Sequence, residues 1–371
     1  MKGMRMDDSR RTLADCCRWG SMAACLWLLW ACTSPPAMPF STQGPALVLV
    51  PVNQAGVSDG RARFREIYCA VLEARKEQVQ DYRPCDDALT RLEGEPAGAG
   101  RAVDLGPSSR RLVALTVPGI GYGCIEPWLQ PPGTSKGHLA QFGYDLDLVK
   151  VDPLSGTGKN ARMIRDAVMS MPQAPGAAPR VVLVGYSKGT PDVLDALASF
   201  PEIQERVAAM VSVAGAVGGS ALANDATQDQ ANLLRHFPQS DCDAGDGGAV
   251  EALRPQVRKA WLAQNKLPPG LRYYSLVTLP KPERISLILK PSWNKLAKID
   301  ERNDSQVLFY DQVIPGSNLM GYLNADHWAI AVPLNRSKPI LSQTLATQNA
   351  YPREALVEAI LRFVEESLLA R

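Results

Sequence analysis

Histidine is scarce in this chain, with three in 371 residues, at positions 138, 236 and 327. No C-x-x-C pair accompanies them, so no zinc-ligand spacing exists and no metal is expected. A surplus of either charge is also missing. The formal net charge is +2; five basic and three acidic residues fall within 1–31, so the remainder carries 35 of each sign. A chain without a basic field has little to hold a polyanion, and no nucleic-acid partner is expected. A phosphate-binding loop is lacking too. "PLSGTGKN" (153–160) lies between strand-like and helix-like stretches. Pro153 stands where that loop needs its first glycine, and Asn160 where it needs Ser or Thr. Nothing else in the sequence implies a cofactor.

The most apolar stretch is short. "SMAACLWLLWAC" (21–32) follows basic residues and precedes "TSPP". It is too brief to span a bilayer comfortably and has the build of a secretory signal. The reading is an export signal over 1–31, a Pro- and Ser-rich linker over 32–44 and a folded domain over 45–371. "LWAC" (29–32) resembles a bacterial lipoprotein signal box, which implies lipidation of Cys32 and a place in the periplasm or outer membrane. Trp30 stands where the box has a small or aliphatic residue, and plain cleavage, with secretion, or an uncleaved anchor is the alternative. Translation from Met22 would leave little basic charge for a signal.

Past the leader remain Cys69, Cys85, Cys124 and Cys242, an even number suited to an oxidising compartment. Cys69 and Cys85 lie close in sequence on adjoining helical segments, which favours that pair and leaves Cys124 with Cys242. Four cysteines allow three connectivities, and free buried thiols are the other reading.

Apolar periodicity places an early strand at 46–52, a helix at 59–75 and a short one near 84–92. A regular alternation follows: strands at 111–117, 146–152, 180–186, 207–215 and 271–279, with helices after the second and third. Val- and Leu-rich strands alternating with helices predict an α/β fold with a mostly parallel sheet covered on both faces. Residues 219–268 break the rhythm and read as a helical insertion capping the site, with a plain surface insertion as the alternative. The last helix, "PREALVEAILRFVEESLL", places Leu356, Ile360, Phe363 and Leu368 on a core-facing side.

The stretch "VVLVGYSKGT" (181–190) carries G-x-S-x-G between a strand and a helix, with Ser187 at the apex. Small flanking residues let the chain turn sharply and expose the hydroxyl, while the helix N-terminus offers free N–H groups to a developing oxyanion. In these residues the chain resembles the α/β-hydrolase superfamily, lipase- and esterase-like serine hydrolases, over roughly 111–331. "AGAVGGSALA" (214–223) is similar to lipase sequences as well. The resemblance implies the chain order serine, acid, histidine. His138 precedes the serine and His236 lies in the insertion, so His327, in "ADHWAIAVP", is the expected base. "NDSQV" (303–307) looks like the "NDGxV" of lipase-like hydrolases, which puts Asp304 first as the acid. Asp311 is the reserve, Asp300 a weaker one, and Asp326 adjoins the histidine too closely. By the family pattern the oxyanion donors are the backbone N–H groups of Lys188 and of Ile120 in "VPGIGYG" (117–123), with Gly119 or Gly121 as alternatives. The family's His-Gly is here Pro118-Gly119.

The resulting expectation is an exported serine hydrolase cleaving small-molecule or lipid carboxylic esters through an acyl-enzyme, membrane-associated where Cys32 is lipidated. An acyltransferase or thioesterase, an amidase, and a non-catalytic envelope lipoprotein are the alternatives. The Lys188 side chain has no role that the sequence supports.

Overall fold

The computed structural model describes residues 38–40, 48–50, 56–129, 134–174, 176–237 and 239–370. The export signal, Cys32, Met22 and most of the linker lie outside the described residues. Met38–Phe40 (β1), within the expected linker, pairs antiparallel with Val48–Val50 (β2), within the expected early strand.

The central sheet has eight strands. Ser58–Asp59 (β3) and Leu89–Thr90 (β4) are short edge pieces. Val113–Val117 (β5), Asp145–Leu148 (β6), Val181–Tyr186 (β7), Val207–Val213 (β8), Arg272–Thr278 (β9) and Asn318–Leu323 (β10) form the body. The order is β3-β10-β9-β8-β7-β5-β6, parallel throughout, with β4 antiparallel to β10. This is the α/β-hydrolase architecture expected.

Two sequence readings shift. The strand expected at 146–152 ends at Leu148, because β6 has a partner on one side only and three of its four residues are exposed. β10 has no counterpart in the sequence reading. Its register with β9 slips between Leu319 and Gly321, and Gly321 faces the Phe64 ring where an added Cβ would stand at 3.4 Å.

Every residue of β7 and β8 is buried, and alternate side chains serve opposite faces. Val182 and Val184 join a core beneath Arg61–Ala74 (α1) and Arg353–Leu369 (α5), which interlock through Phe64, Ile67, Ile360 and Phe363. Val181 and Leu183 face Thr157–Ser170 (α2) and Gly189–Ser199 (α3) through Ile164, Val168, Val193 and Leu197. Leu356 and Leu368 of α5 are buried as expected for a core helix. Among the described residues no helix is long and apolar enough to cross a membrane.

Residues 219–268 form short helical turns followed by Pro255–Gln264 (α4). They lie over the C-terminal ends of the strands. Asp246 exchanges hydrogen bonds with Ser155 and Gly156, Ser220 Oγ donates to the Gln306 carbonyl, and Cys242 is disulfide-bonded to Cys124. Cys69 is bonded to Cys85, joining α1 to the helical turn Cys85–Ala88.

Candidate active site

β7 delivers Ser187 into a turn that few residues adopt. Ser187 has φ +53°, in the left-handed region, and its N–H donates to the Val213 carbonyl of the adjacent strand end. The flanking glycines make room. A Cβ at Gly189 would stand 2.1 Å from the Val117 carbonyl oxygen, and one at Gly185 would stand 2.6 Å from the Thr190 Cα. The Ser187 carbonyl accepts from the N–H groups of Thr190 and Ala216, which fixes the turn from α3 and from the loop after β8.

His327 lies after β10, four residues beyond Leu323. Its Nε2 is 2.9 Å from Ser187 Oγ, and its Nδ1 is 2.7 Å from Asp304 Oδ2. Its backbone N–H donates to the Asp304 carbonyl, and its carbonyl accepts from Tyr186 Oη at 2.7 Å. The Tyr186 ring lies beside the imidazole, with centroids 5.1 Å apart. Asp304 is fully buried. Its Oδ1 accepts from the N–H groups of Gln306 and Val307 at 2.9 and 2.7 Å. Oδ2 accepts from Thr278 Oγ1 at 2.5 Å and from Gln312 Nε2 at 3.4 Å. A carboxylate with this many donors is held in one orientation.

The structure brings Ser187, His327 and Asp304 into one hydrogen-bonded line. The other candidates are engaged elsewhere. His138 is bonded to Glu358 on α5, Asp300 to Arg302, and Asp326 accepts from the N–H groups of Ser286 and Ala329. Asp311 makes no hydrogen bond to His327; burial pushes its carboxyl up to about 7. His236 sits in a turn of the insertion.

The loop after β5 runs beside the serine. A Cβ at Gly119 would stand 2.9 Å from Ser187 Cβ and 3.3 Å from its Oγ, so backbone alone fits there. Among the described residues, neither the Lys188 nor the Ile120 N–H donates to a protein acceptor. The Ile120 side chain packs with Ala216, Ala223, Val250 and Leu253, which anchors this loop under the insertion. Gly121 has φ +73°, and a Cβ there would stand 2.3 Å from Leu234 Cδ1. The Cys124–Cys242 disulfide ties the same two segments together.

Sequence reasoning missed Tyr186, Thr278 and Gln312, the residues that position the histidine and its acid. Tyr186 lies inside the motif, but the reason for a tyrosine appears only when His327 is brought beside it. Among the described residues no group of three or more His, Cys, Asp or Glu side chains could hold a metal ion.

No protein-family model and no curated protein matches the chain. Among solved structures, a metagenomic carboxyl esterase matches at TM-score 0.79 and 38% identity, covering 88% of this chain and 97% of that one. A Bacillus licheniformis lipase in its mature form matches at TM-score 0.50 and 21% identity, over 66% of this chain and 95% of that one. A Staphylococcus hyicus lipase matches at TM-score 0.50 and 11% identity, over 72% and 99%. The two lipases share the fold. The first likeness reaches further, and on its identity and coverage the chain belongs to the carboxyl esterases of the α/β-hydrolase superfamily.

Proposed function

We propose that the protein is an exported serine esterase that cleaves acyl or lipid-type carboxylic esters through an acyl-enzyme at Ser187. The observation that carries this reading is the line from Ser187 Oγ through His327 to Asp304, with contacts of 2.9 and 2.7 Å. Ser187 attacks the ester carbonyl while His327 Nε2 takes its proton. Asp304 holds the imidazole with its proton on Nδ1 and stabilises the imidazolium. The N–H groups of Lys188 and Ile120 receive the oxyanion, and among the described residues neither has a protein acceptor to give up first. His327 then returns its proton to the leaving alcohol, and water, deprotonated by the same histidine, releases the acid. The leader and the two disulfides support export to an oxidising compartment, and "LWAC" supports an anchor at Cys32.

A fluorophosphonate probe should label the folded protein at Ser187, and Ser187→Ala should abolish both labelling and hydrolysis of p-nitrophenyl butyrate. Full turnover in folded Ser187→Ala would overturn the reading.

A further inference from the structure

Lys188 follows the nucleophile, yet its side chain turns away from the site and is 2% exposed. Its Nζ donates to both carboxylate oxygens of Asp192, one turn along α3, at 2.8 and 2.9 Å. Asp192 is equally buried and accepts from Asn160 Nδ2 of α2 at 2.8 Å. Asn160 also binds the loop after β6. Its Oδ1 accepts from the Asp152 N–H and its Nδ2 donates to the Asp152 carbonyl, both at 3.0 Å. The next carbonyl, that of Pro153, accepts from the Gly121 N–H at 2.9 Å. Asn160 is one of the two residues that spoil the phosphate-loop pattern, and Pro153 is the other.

We propose that Lys188, Asp192 and Asn160 are positioning residues that hold the two oxyanion donors in register with each other. The network starts at the residue whose N–H is one donor and ends at the residue beside Ile120, the other. These two groups come from loops far apart in sequence, on different strands. Their turns touch at the ends of the paired strands β5 and β7, and the side-chain network braces that contact from the side of α2 and α3. An ion pair this deep is weak evidence for stability, since apolar replacements of buried pairs are often neutral or stabilising, so geometry is the better account of it. Placement matters because a donor about 1 Å out of line can lose on the order of a hundredfold in rate. Lys188 also neutralises Asp192, whose buried charge would otherwise oppose an oxyanion nearby.

This inference rests on the serine-esterase reading above, and the test separates the two. Lys188→Met, Asn160→Ala and the double variant Lys188→Met/Asp192→Leu are compared with the parent protein. The double variant removes both charges and remains informative if Lys188→Met fails to fold with an unpaired carboxylate. For each folded variant, kcat, KM and the inhibition constant of an aryl trifluoromethyl ketone, which binds as an oxyanion, are measured, together with fluorophosphonate labelling. The expected result is a kcat reduced about 10- to 100-fold, KM within about twofold, and ketone affinity weakened in step with kcat/KM, while the probe still labels Ser187 at saturation. A purely structural role would lower the unfolding midpoint and leave the ketone-to-substrate ratio unchanged. A folded double variant with parental kcat and ketone affinity would overturn this inference and leave the esterase reading intact. Failure of the parent protein to label would overturn both.

Discussion

Replacing Asp304 by asparagine is a sharp test of the site, because its surroundings dictate how the amide must sit. Oδ1 accepts from two backbone N–H groups, of Gln306 and Val307, that cannot turn away. Placing the NH2 there would leave both donors unpaired, at about 1–3 kcal/mol each. The amide oxygen therefore takes that side, and the NH2 falls where Oδ2 was, 2.7 Å from His327 Nδ1. It donates to Nδ1, so the imidazole proton moves to Nε2, the nitrogen facing Ser187. A protonated Nε2 cannot accept the serine proton. Thr278 can redirect its hydroxyl to Gln312 Oε1 at 3.0 Å, so the fold loses about 1–2 kcal/mol at most. The expected outcome is a drop in kcat of about ten-thousandfold, or about 5.5 kcal/mol in the barrier, with a near-parental unfolding midpoint. Initial rates on p-nitrophenyl butyrate, with urea unfolding of the same samples, measure both. Retention of more than about a hundredth of kcat would refute the assignment of Asp304, given how large a tautomer effect should be.

Two further outcomes follow from the same geometry. Asp311, at about 7 against a usual 3.8, is a carboxyl that burial disfavours once ionised. Its folded form holds the proton longer than its unfolded form, so the penalty is absent below about pH 4, grows as pH rises towards 7 and is constant above, with a ceiling of about 4 kcal/mol. Asp311→Asn should therefore be more stable than the parent at pH 8 and gain little at pH 4, with ester hydrolysis preserved. Urea midpoints at the two pH values check the sign, and an equal effect at both would contradict it. The Cys124–Cys242 bridge spans 118 residues and secures the insertion to the loop that carries Ile120. A chain-entropy argument assigns such a bridge up to about 5 kcal/mol. Cys242→Ser, or reduction of the parent, should lower the unfolding midpoint by about 5–10 °C and raise KM more than it lowers kcat. An unchanged midpoint on reduction would show that the bridge holds nothing the packing does not already hold.

Some of this was written into the chain locally. β5, β7 and β8 are readable because strands buried on both faces are rich in Val, Leu and Ala, and β9 because its Tyr, Leu and Val keep it apolar; such stretches can be read without knowing their neighbours. The motif around Ser187 is readable because a turn this tight admits only glycine at 185 and 189. The order of serine, acid and histidine followed from the family resemblance and the shortage of histidine. What the sequence left open was always a matter of partners distant along the chain. Asp304 and Asp311 lie seven residues apart, and the motif "NDSQV" ranked them without separating them; packing does so, by bringing His327 and Thr278 to Asp304. β10 stayed hidden because Gly321 interrupts its apolar run and its place is set by β9 and β3 on either side and by α1 across its face. Lys188 stood beside the nucleophile with no evident use for its charge. Its use depends on Asp192 one helical turn on and on Asn160 from another helix, and the Asn160–Asp192 hydrogen bond between the helices exists only once they are packed. Local residue chemistry set the strands and the turn; non-local packing brought Asp304 and Ser187 to the two nitrogens of His327 and sent the lysine inward.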